Sequence, residues 1–260
     1  MNSTVIHQTA IVSEKAQLGE NVRIGPYSII EEDVEIGDNC EIRSGVYIDN
    51  GTRIGRDCRI CKGVVIGTEP QDLKYADEKT LTFVGERTTL REYVTINRGT
   101  KETKKTVVGS DCLIMTYSHV AHDCRVGNNV IISNTTQLAG HVTIEDWVNI
   151  GGVVKIHQFC KVGCHSFIGA DVKIVKEVPP YTLIGREPAK VEGLNIIGLR
   201  RRGFSNELIG EIQKFYELVL FSGLNTRDGI AKYLENNSPC EEIKHCIDFI
   251  ESSGRGIYRN

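Results

Sequence analysis

The sequence repeats itself every six residues. Cut after each position whose number is a multiple of six, it runs HQTAIV, SEKAQL, GENVRI, GPYSII, EEDVEI, GDNCEI from His7 onward. Between Val12 and Ile174 there are 28 such positions, and 25 of them hold Ile, Val or Leu; the exceptions are Asp72, Glu78 and Glu102. Two residues before each of the 25 aliphatics sits a small side chain: Ala, Val, Ser, Thr or Cys. A six-residue unit can neither hold a helix nor close a core alone. Stacked at about 4.8 Å, successive turns pair their backbones and bury the aliphatics in continuous columns. The chain is therefore expected to be mainly β, a parallel β-solenoid. Three hexads per turn make a triangular prism with 18 residues per coil, and about nine coils would reach roughly 43 Å.

Glycine often follows the aliphatic, as at Gly19, Gly37, Gly127 and Gly151, which suits a bend after each short strand. Two insertions break the repeat: TEPQDLKYADEKTLT, near residues 68–82, and NRGTKETKKT, residues 97–106. A loop that leaves a regular prism and returns in phase usually carries function. Beyond Val178 the repeat stops at PPY and the pattern becomes helical. Ser205 can cap a helix running to about Phe221, with Gly223 after it and Leu208, Ile212, Phe215 and Val219 as its apolar stripe. Shorter helices are expected near 226–235 and 239–252. The division read from this is a β-helix over 1–190 and an α-helical domain over 191–260.

Composition narrows the function classes. Five of the nine cysteines (Cys40, Cys58, Cys112, Cys124 and Cys160) fall in the small slot, where each reads as a buried small side chain. Cys160 and Cys164 are four residues apart and have no matching second pair at that spacing, so neither a disulfide framework nor a zinc site is called for. No metal and no cofactor is expected. A net charge of -3, with 31 basic and 34 acidic residues intermixed, gives no broad basic face for nucleic acid. The stretch MNSTVIHQTA lacks a basic region followed by an apolar one, and no apolar run approaches the roughly 18 residues of a membrane span. A cytoplasmic chain without a transmembrane segment is expected.

Four of the seven histidines (His119, His122, His141 and His157) lie within 39 residues, and none occupies an inward slot. With 18 residues per coil, His122, Gly140 and Gln158 share one outer column on successive coils, while Asp123 and His141 share the next. Coil spacing brings this group within about 10 Å along the axis. A neutral imidazole is a natural base for a hydroxyl proton. Asp123 can hold its tautomer, and a glycine N–H can meet a developing oxyanion. No Ser or Cys nucleophile is placed beside the base, so direct transfer is favoured over a covalent enzyme intermediate. Two blander readings stand beside this one: solvated surface histidines, and a metal site whose third ligand spacing alone does not place.

The strings QDLKYA, TINRGT, SHVAHDC, LAGHV, HQFC, EVPPY and GLNIIGLRRRGFS resemble the UDP-N-acetylglucosamine O-acyltransferases, the enzymes that open lipid A biosynthesis, and the resemblance covers essentially the whole chain. It implies a left-handed coil and a homotrimer with three clefts between neighbouring prisms. The implied reaction moves an (R)-3-hydroxyacyl group from its thioester on acyl carrier protein to the 3-position of a UDP-sugar, on either a hydroxyl or an amine. By the same resemblance, His122 matches the general base, Asp123 its neighbouring acid and Gly140 the oxyanion amide. His119, His141, His157 and Gln158 match residues lining the substrate cleft. Gln71 matches a substrate-binding position, and Asp72 and Lys74 match sugar contacts. Asn195, Arg201 and Arg202 match contacts to the nucleotide and its phosphates, a role that suits the guanidinium fork. Ala170 stands where a glycine helps set acyl length in some members, so its methyl group favours a shorter chain. Asn97 and Ile197 stand where some members have His and Glu. Arg186, Lys190 and Arg200 are candidate docking contacts for the acidic carrier protein.

Other readings carry distinct marks. The related N-acyltransferase of the same pathway has an extra N-terminal uridine-binding domain, whereas the hexads here begin near residue 7. A hexapeptide-type carbonic anhydrase needs three zinc-binding histidines at another spacing. A non-catalytic solenoid binding module has no need of clustered outward histidines or of two phased loops.

Overall fold

The computed structural model describes residues 4–260; Met1–Ser3, part of the stretch read above for a leader, lie outside the described residues. Strands of two to four residues recur at the hexad spacing, as at Arg23–Ile24, Ile29–Ile30 and Val34–Ile36, most of them ending on the aliphatic. They assemble into three parallel sheets whose neighbours are every third strand in sequence. This is a parallel β-helix with three faces. Pairing partners are 18 residues apart, for example Ile24 with Ile42.

The two insertions appear as jumps in that register. Ile60 pairs with Leu90, an offset of 30, and Leu90 with Ile114, an offset of 24. Against the basic 18, the first loop adds 30 − 18 = 12 residues and the second 24 − 18 = 6. Both are whole numbers of hexads, so the aliphatic columns close again without a slip. Asp72, Glu78 and Glu102 are the three multiples of six that fall inside the loops. A slip of one residue would turn every inward side chain outward.

The columns are dry. Ile48, Ile60, Ile66, Leu90, Ile96, Ile114 and Ile132 are buried to 0 % exposure, and each such side chain contributes about 1.5–3 kcal/mol. The small slot does more than fit the space. Ser28 Oγ donates to the Arg43 carbonyl at 2.7 Å, Thr136 Oγ1 to Gly151 at 2.9 Å and Cys124 Sγ to Ala139 at 3.1 Å, each reaching 15 residues on. Ser, Thr and Cys there supply a donor to a corner carbonyl of the next coil. All nine cysteines are free, and the five in the slot are buried.

The bend expected at the glycines lies elsewhere. The residue in left-handed conformation is the third after the aliphatic, and it is seldom glycine: Asn39, Asp57, Asp123, His141 and Phe159 have φ between 57° and 63°. The glycine directly after the aliphatic answers a steric demand. A Cβ on Gly37 would come within 2.6 Å of the Arg56 nitrogen on the next coil, closer than packed atoms approach.

The last parallel strand, Thr182–Gly185, turns back as an antiparallel hairpin with Lys190–Leu194, an element the sequence pattern did not reveal. Four helices follow: α1 (Ile196–Arg201), α2 (Asn206–Tyr216), α3 (Thr226–Leu234) and α4 (Glu241–Glu251). Ser205 caps α2 as the sequence indicates, its side chain accepting from Leu208 N. The helix then widens to a π turn over Glu217–Phe221. Of the expected stripe, Ile212, Phe215 and Val219 are buried. The short α1, opened by Asn195, was not foreseen. The helices pack back on the prism: Tyr216 Oη donates to the Pro180 carbonyl at 2.9 Å, and Ile257 bridges to Glu177.

Candidate active site

Adjacent strand residues point to opposite sides of a sheet, so two side chains next to each other in sequence meet only where the backbone turns. His122 and Asp123 occupy such a corner. Asp123 takes φ of 60°, and His122 Nδ1 lies 2.8 Å from Asp123 Oδ2. The imidazole is largely covered and the carboxylate fully so, at 14 % and 0 % side-chain exposure.

A buried carboxylate needs donors. Asp123 receives the Thr100 N–H at 3.0 Å, the Thr100 hydroxyl at 2.8 Å and a short bond from the Thr103 hydroxyl. Its own N–H donates to Thr106 Oγ1 at 2.8 Å. Burial pushes the Asp123 carboxyl up, but the bonds from Thr103, His122 and Thr100 outweigh it and hold the group below the ordinary carboxylate range. An ionised Asp123 fixes the proton of His122 on Nδ1 and leaves Nε2 bare to accept. Thr100 and Thr103 belong to the second insertion. They were missed as site residues because periodicity is silent inside a loop.

Gly140 sits one coil above His122. A Cβ on it would fall 2.6 Å from His122 Cε1 and 2.7 Å from Nε2, so the imidazole lies flat against bare backbone. On one edge of the prism the N–H at this position finds a side-chain acceptor one coil on, as where Ser110 N donates to Asn128 Oδ1 at 2.9 Å and Asn128 N to Asp146 Oδ1 at 2.8 Å. Among the described residues the Gly140 N–H has no such partner, while Ala139 and His141 on either side donate to carbonyls. A free donor therefore stands beside the bare nitrogen of the base.

The remaining expected residues are not all gathered in one place. Gln71, His119, His157 and Gln158 line a cleft of about 480 Å³ together with His122 and Gly140. His119 Nδ1 lies 2.7 Å from Thr95 Oγ1, and burial followed by its nearness to His122 lowers its pKa. His157 and Gln158 are exposed. His141 stands behind the base: its ring meets that of His122 edge-on with centroids 5.3 Å apart and stacks on Phe159 at 4.5 Å. Its Nε2 lies 3.6 Å from Asp123 Oδ2. Donor atoms of His122, Asp123 and His141 lie within 4.8 Å of one another, but four hydrogen bonds already occupy the carboxylate.

Asp72 and Lys74 sit on the first insertion, where the Lys74 N–H donates to Asp72 Oδ1 at 3.0 Å. Neither lines the histidine cleft within this chain. Asn195 caps α1 and donates from Nδ2 to the His165 carbonyl at 2.9 Å. Arg202 approaches the same residue, 3.4 Å from His165 Nδ1, with its guanidinium 5.4 Å from the Trp147 ring centre. Burial, then the neighbouring Arg202 charge, pushes the His165 imidazole down to about 4, so it is neutral. Asn195 and Arg202 thus form a second centre, apart from the cleft, with His165 and Trp147 that the sequence did not single out. Arg201 is exposed, and so is Ala170, which lies in the corner column of Gly152 on a different edge of the prism from His122.

A three-faced parallel helix carrying an outward imidazole and carboxylate at one corner defines a hexapeptide-repeat transferase. The model of the family described as bacterial transferase hexapeptide (six repeats) matches residues 15–50 and 105–140, and that described as UDP N-acetylglucosamine O-acyltransferase, domain 2, matches residues 177–258. A curated relative from Janthinobacterium sp. (strain Marseille), acyl-[acyl-carrier-protein]--UDP-N-acetylglucosamine O-acyltransferase, is 46% identical over 98% of this chain and 100% of its own. The crystal structure of a UDP-N-acetylglucosamine acyltransferase from Bacteroides fragilis superposes with a TM-score of 0.96 at 43% identity, covering 98% of this chain and 100% of that one. One from Acinetobacter baumannii gives 0.95 at 39%, with 98% and 100% covered. The chain belongs to the UDP-N-acetylglucosamine O-acyltransferase family. The related N-acyltransferase reading gives way to it, since the tail and the full-length relatives match the O-acyl enzyme.

Proposed function

We propose that this chain transfers an (R)-3-hydroxyacyl group from acyl carrier protein to the 3-position of UDP-N-acetylglucosamine or its 3-amino analogue, the first step of lipid A biosynthesis. Its family membership supports the overall reaction. The observation that carries the mechanism is the His122–Asp123 pair beside the unpartnered Gly140 N–H. His122 Nε2 takes the proton from the acceptor group as its oxygen or nitrogen attacks the thioester carbonyl. The tetrahedral oxyanion lies against the Gly140 N–H, and Asp123 stabilises the imidazolium. Collapse breaks the carbon–sulfur bond, and His122 returns the proton to the departing thiolate. No covalent enzyme intermediate is required.

Within this scheme His119, His141, His157, Gln158 and Gln71 position the substrates, Asp72 and Lys74 hold the sugar, and Asn195, Arg201 and Arg202 hold the nucleotide and its phosphates. Asp72, Lys74 and Ala170 lie off the histidine cleft of their own chain, which supports a homotrimer in which neighbouring prisms complete each cleft. The β-helix over 1–190 supplies the chemistry, the helical part over 191–260 the nucleotide contacts, and the junction between them, at Arg186, Lys190 and Arg200, the carrier-protein contacts. The action is assigned to the cytoplasm; no helix among the described residues is long and apolar enough to cross a membrane.

The test is a matrix of carrier-protein thioesters of different length against both UDP-sugars, read by mass spectrometry. Acylated sugar nucleotide is expected for one acceptor and a narrow range of chain lengths. No product in any cell of the matrix would remove the proposal. Light scattering is expected to return three times the chain mass.

A further inference from the structure

Away from the cleft, one cluster of metal-ligating side chains has no part in this chemistry. Glu145 follows the strand Thr143–Ile144, Cys164 follows Lys161–Val162 on the next coil, and His245 lies within α4. Residues 100 apart in sequence meet here: His245 Nε2 is 2.9 Å from Glu145 Oε2. The same carboxylate oxygen accepts the Cys164 N–H at 2.7 Å, which fixes it beside the thiol. One donor atom from each of the three lies within 4.8 Å of the others. They border an open cavity of about 690 Å³, shared with Arg125, Asp146 and Tyr181.

A thiol, an imidazole and a carboxylate make a donor set that Zn²⁺ accepts and that Mg²⁺ and Ca²⁺, which prefer oxygen, do not. With Zn–N near 2.0–2.1 Å and Zn–S near 2.3 Å, ligand atoms in a tetrahedron sit roughly 3.3–3.7 Å apart. The His245–Glu145 contact, at 2.9 Å, is tighter than that range, and all three donor atoms lie within 4.8 Å of one another, so side-chain rotations are what the site asks for to gather them on one ion. We propose that Glu145, Cys164 and His245 form a zinc site that ties α4 to the wall of the β-helix, with water from the cavity as the fourth ligand. Binding forms the Zn–S and Zn–N bonds as the thiol proton and the proton on His245 Nε2 pass to solvent, and opens the His245–Glu145 contact to admit the ion. The site stands independently of the acyl-transfer reading.

The full-length chain, stripped with a chelator and dialysed, is titrated with Zn²⁺ in competition with a chromophoric chelator. One ion per chain is expected, with no uptake of Mg²⁺ under the same conditions. Cys164→Ser and His245→Ala each weaken binding by about 10–100-fold or more. Co²⁺ in the unaltered protein gives a near-ultraviolet thiolate charge-transfer band, which Cys164→Ser removes. The His122→Ala variant binds zinc like the parent, which separates this site from the group at His122, Asp123 and His141. Absence of saturable binding, a cobalt spectrum without the thiolate band, or zinc uptake lost in His122→Ala and kept in Cys164→Ser overturns the proposal. The cluster is then only an ion pair beside a thiol.

Discussion

His122 Nδ1 and Asp123 Oδ2 lie 2.8 Å apart although the two residues are consecutive in the chain. The left-handed conformation of Asp123, φ 60°, makes this possible, because on a flat strand the two side chains would diverge. Base and orienting acid are therefore built from one dipeptide at one corner, and the six-residue beat sets where corners fall.

Replacing the base is the first test. His122→Ala is expected to lower kcat by at least about 10²–10⁴-fold, the usual worth of a positioned general base. The oligomer and the melting temperature stay near those of the parent. Turnover assays with light scattering on the same sample check both halves, and near-normal activity refutes the assignment.

Gly140→Ala probes the close packing of imidazole on backbone. The added methyl would sit 2.6 Å from His122 Cε1, so the ring must swing away from its place. The backbone at 140 is not in the left-handed region, so alanine is tolerated there. kcat falls while KM for the UDP-sugar changes little; an unchanged kcat would contradict the geometry described.

Asp123→Asn should lower kcat roughly 10²–10⁴-fold through loss of the tautomer. At neutral pH it should also cost about 1–3 kcal/mol of stability, since four donors lose a charged acceptor. The carboxyl is held below its ordinary value in the folded chain. Its stabilisation is therefore fully present above the unfolded pKa near 4 and is lost as pH falls through the lower folded value. The imidazoles facing it, His122 and His141, are common to both chains. Urea unfolding at pH 7, 5, 4 and 3 should show a gap between parent and variant that holds to about pH 5 and narrows below 4. A gap independent of pH means Asp123 is not ionised in the fold.

Carrier-protein docking is tested by reversing charge at Arg186, Lys190 and Arg200. All three are exposed, although Arg186 pairs with Glu192 at 2.8 Å. The triple Glu variant should raise KM for the carrier-protein substrate several-fold and flatten its salt dependence, with KM for the sugar nucleotide unchanged. Equal KM values for the carrier protein would rule these contacts out.

The period alone was enough to read the three faces, the inward columns, the small slot and the meeting of His122 with Gly140. Each follows from side chains alternating on strands and from stacking at a fixed repeat. The cap at Ser205 was legible for a similarly local reason. Three things were not. The corner residue that turns left-handed is marked by no residue type, since Asn, Asp, His, Phe and Trp all serve. The loop threonines that feed Asp123 obey no repeat. The gathering of Asn195, Arg202, His165 and Trp147 depends on how the tail folds back over the prism.

Sequence by itself determined the repeating architecture and the column in which the base lies, because hydrophobic burial and backbone pairing act alike on every hexad. Tertiary structure decided what surrounds that column: which loop donors keep Asp123 charged, which N–H stays free, and where α4 places His245. Those depend on the closing of unequal loops and on contacts between distant segments, and nothing in local composition encodes them.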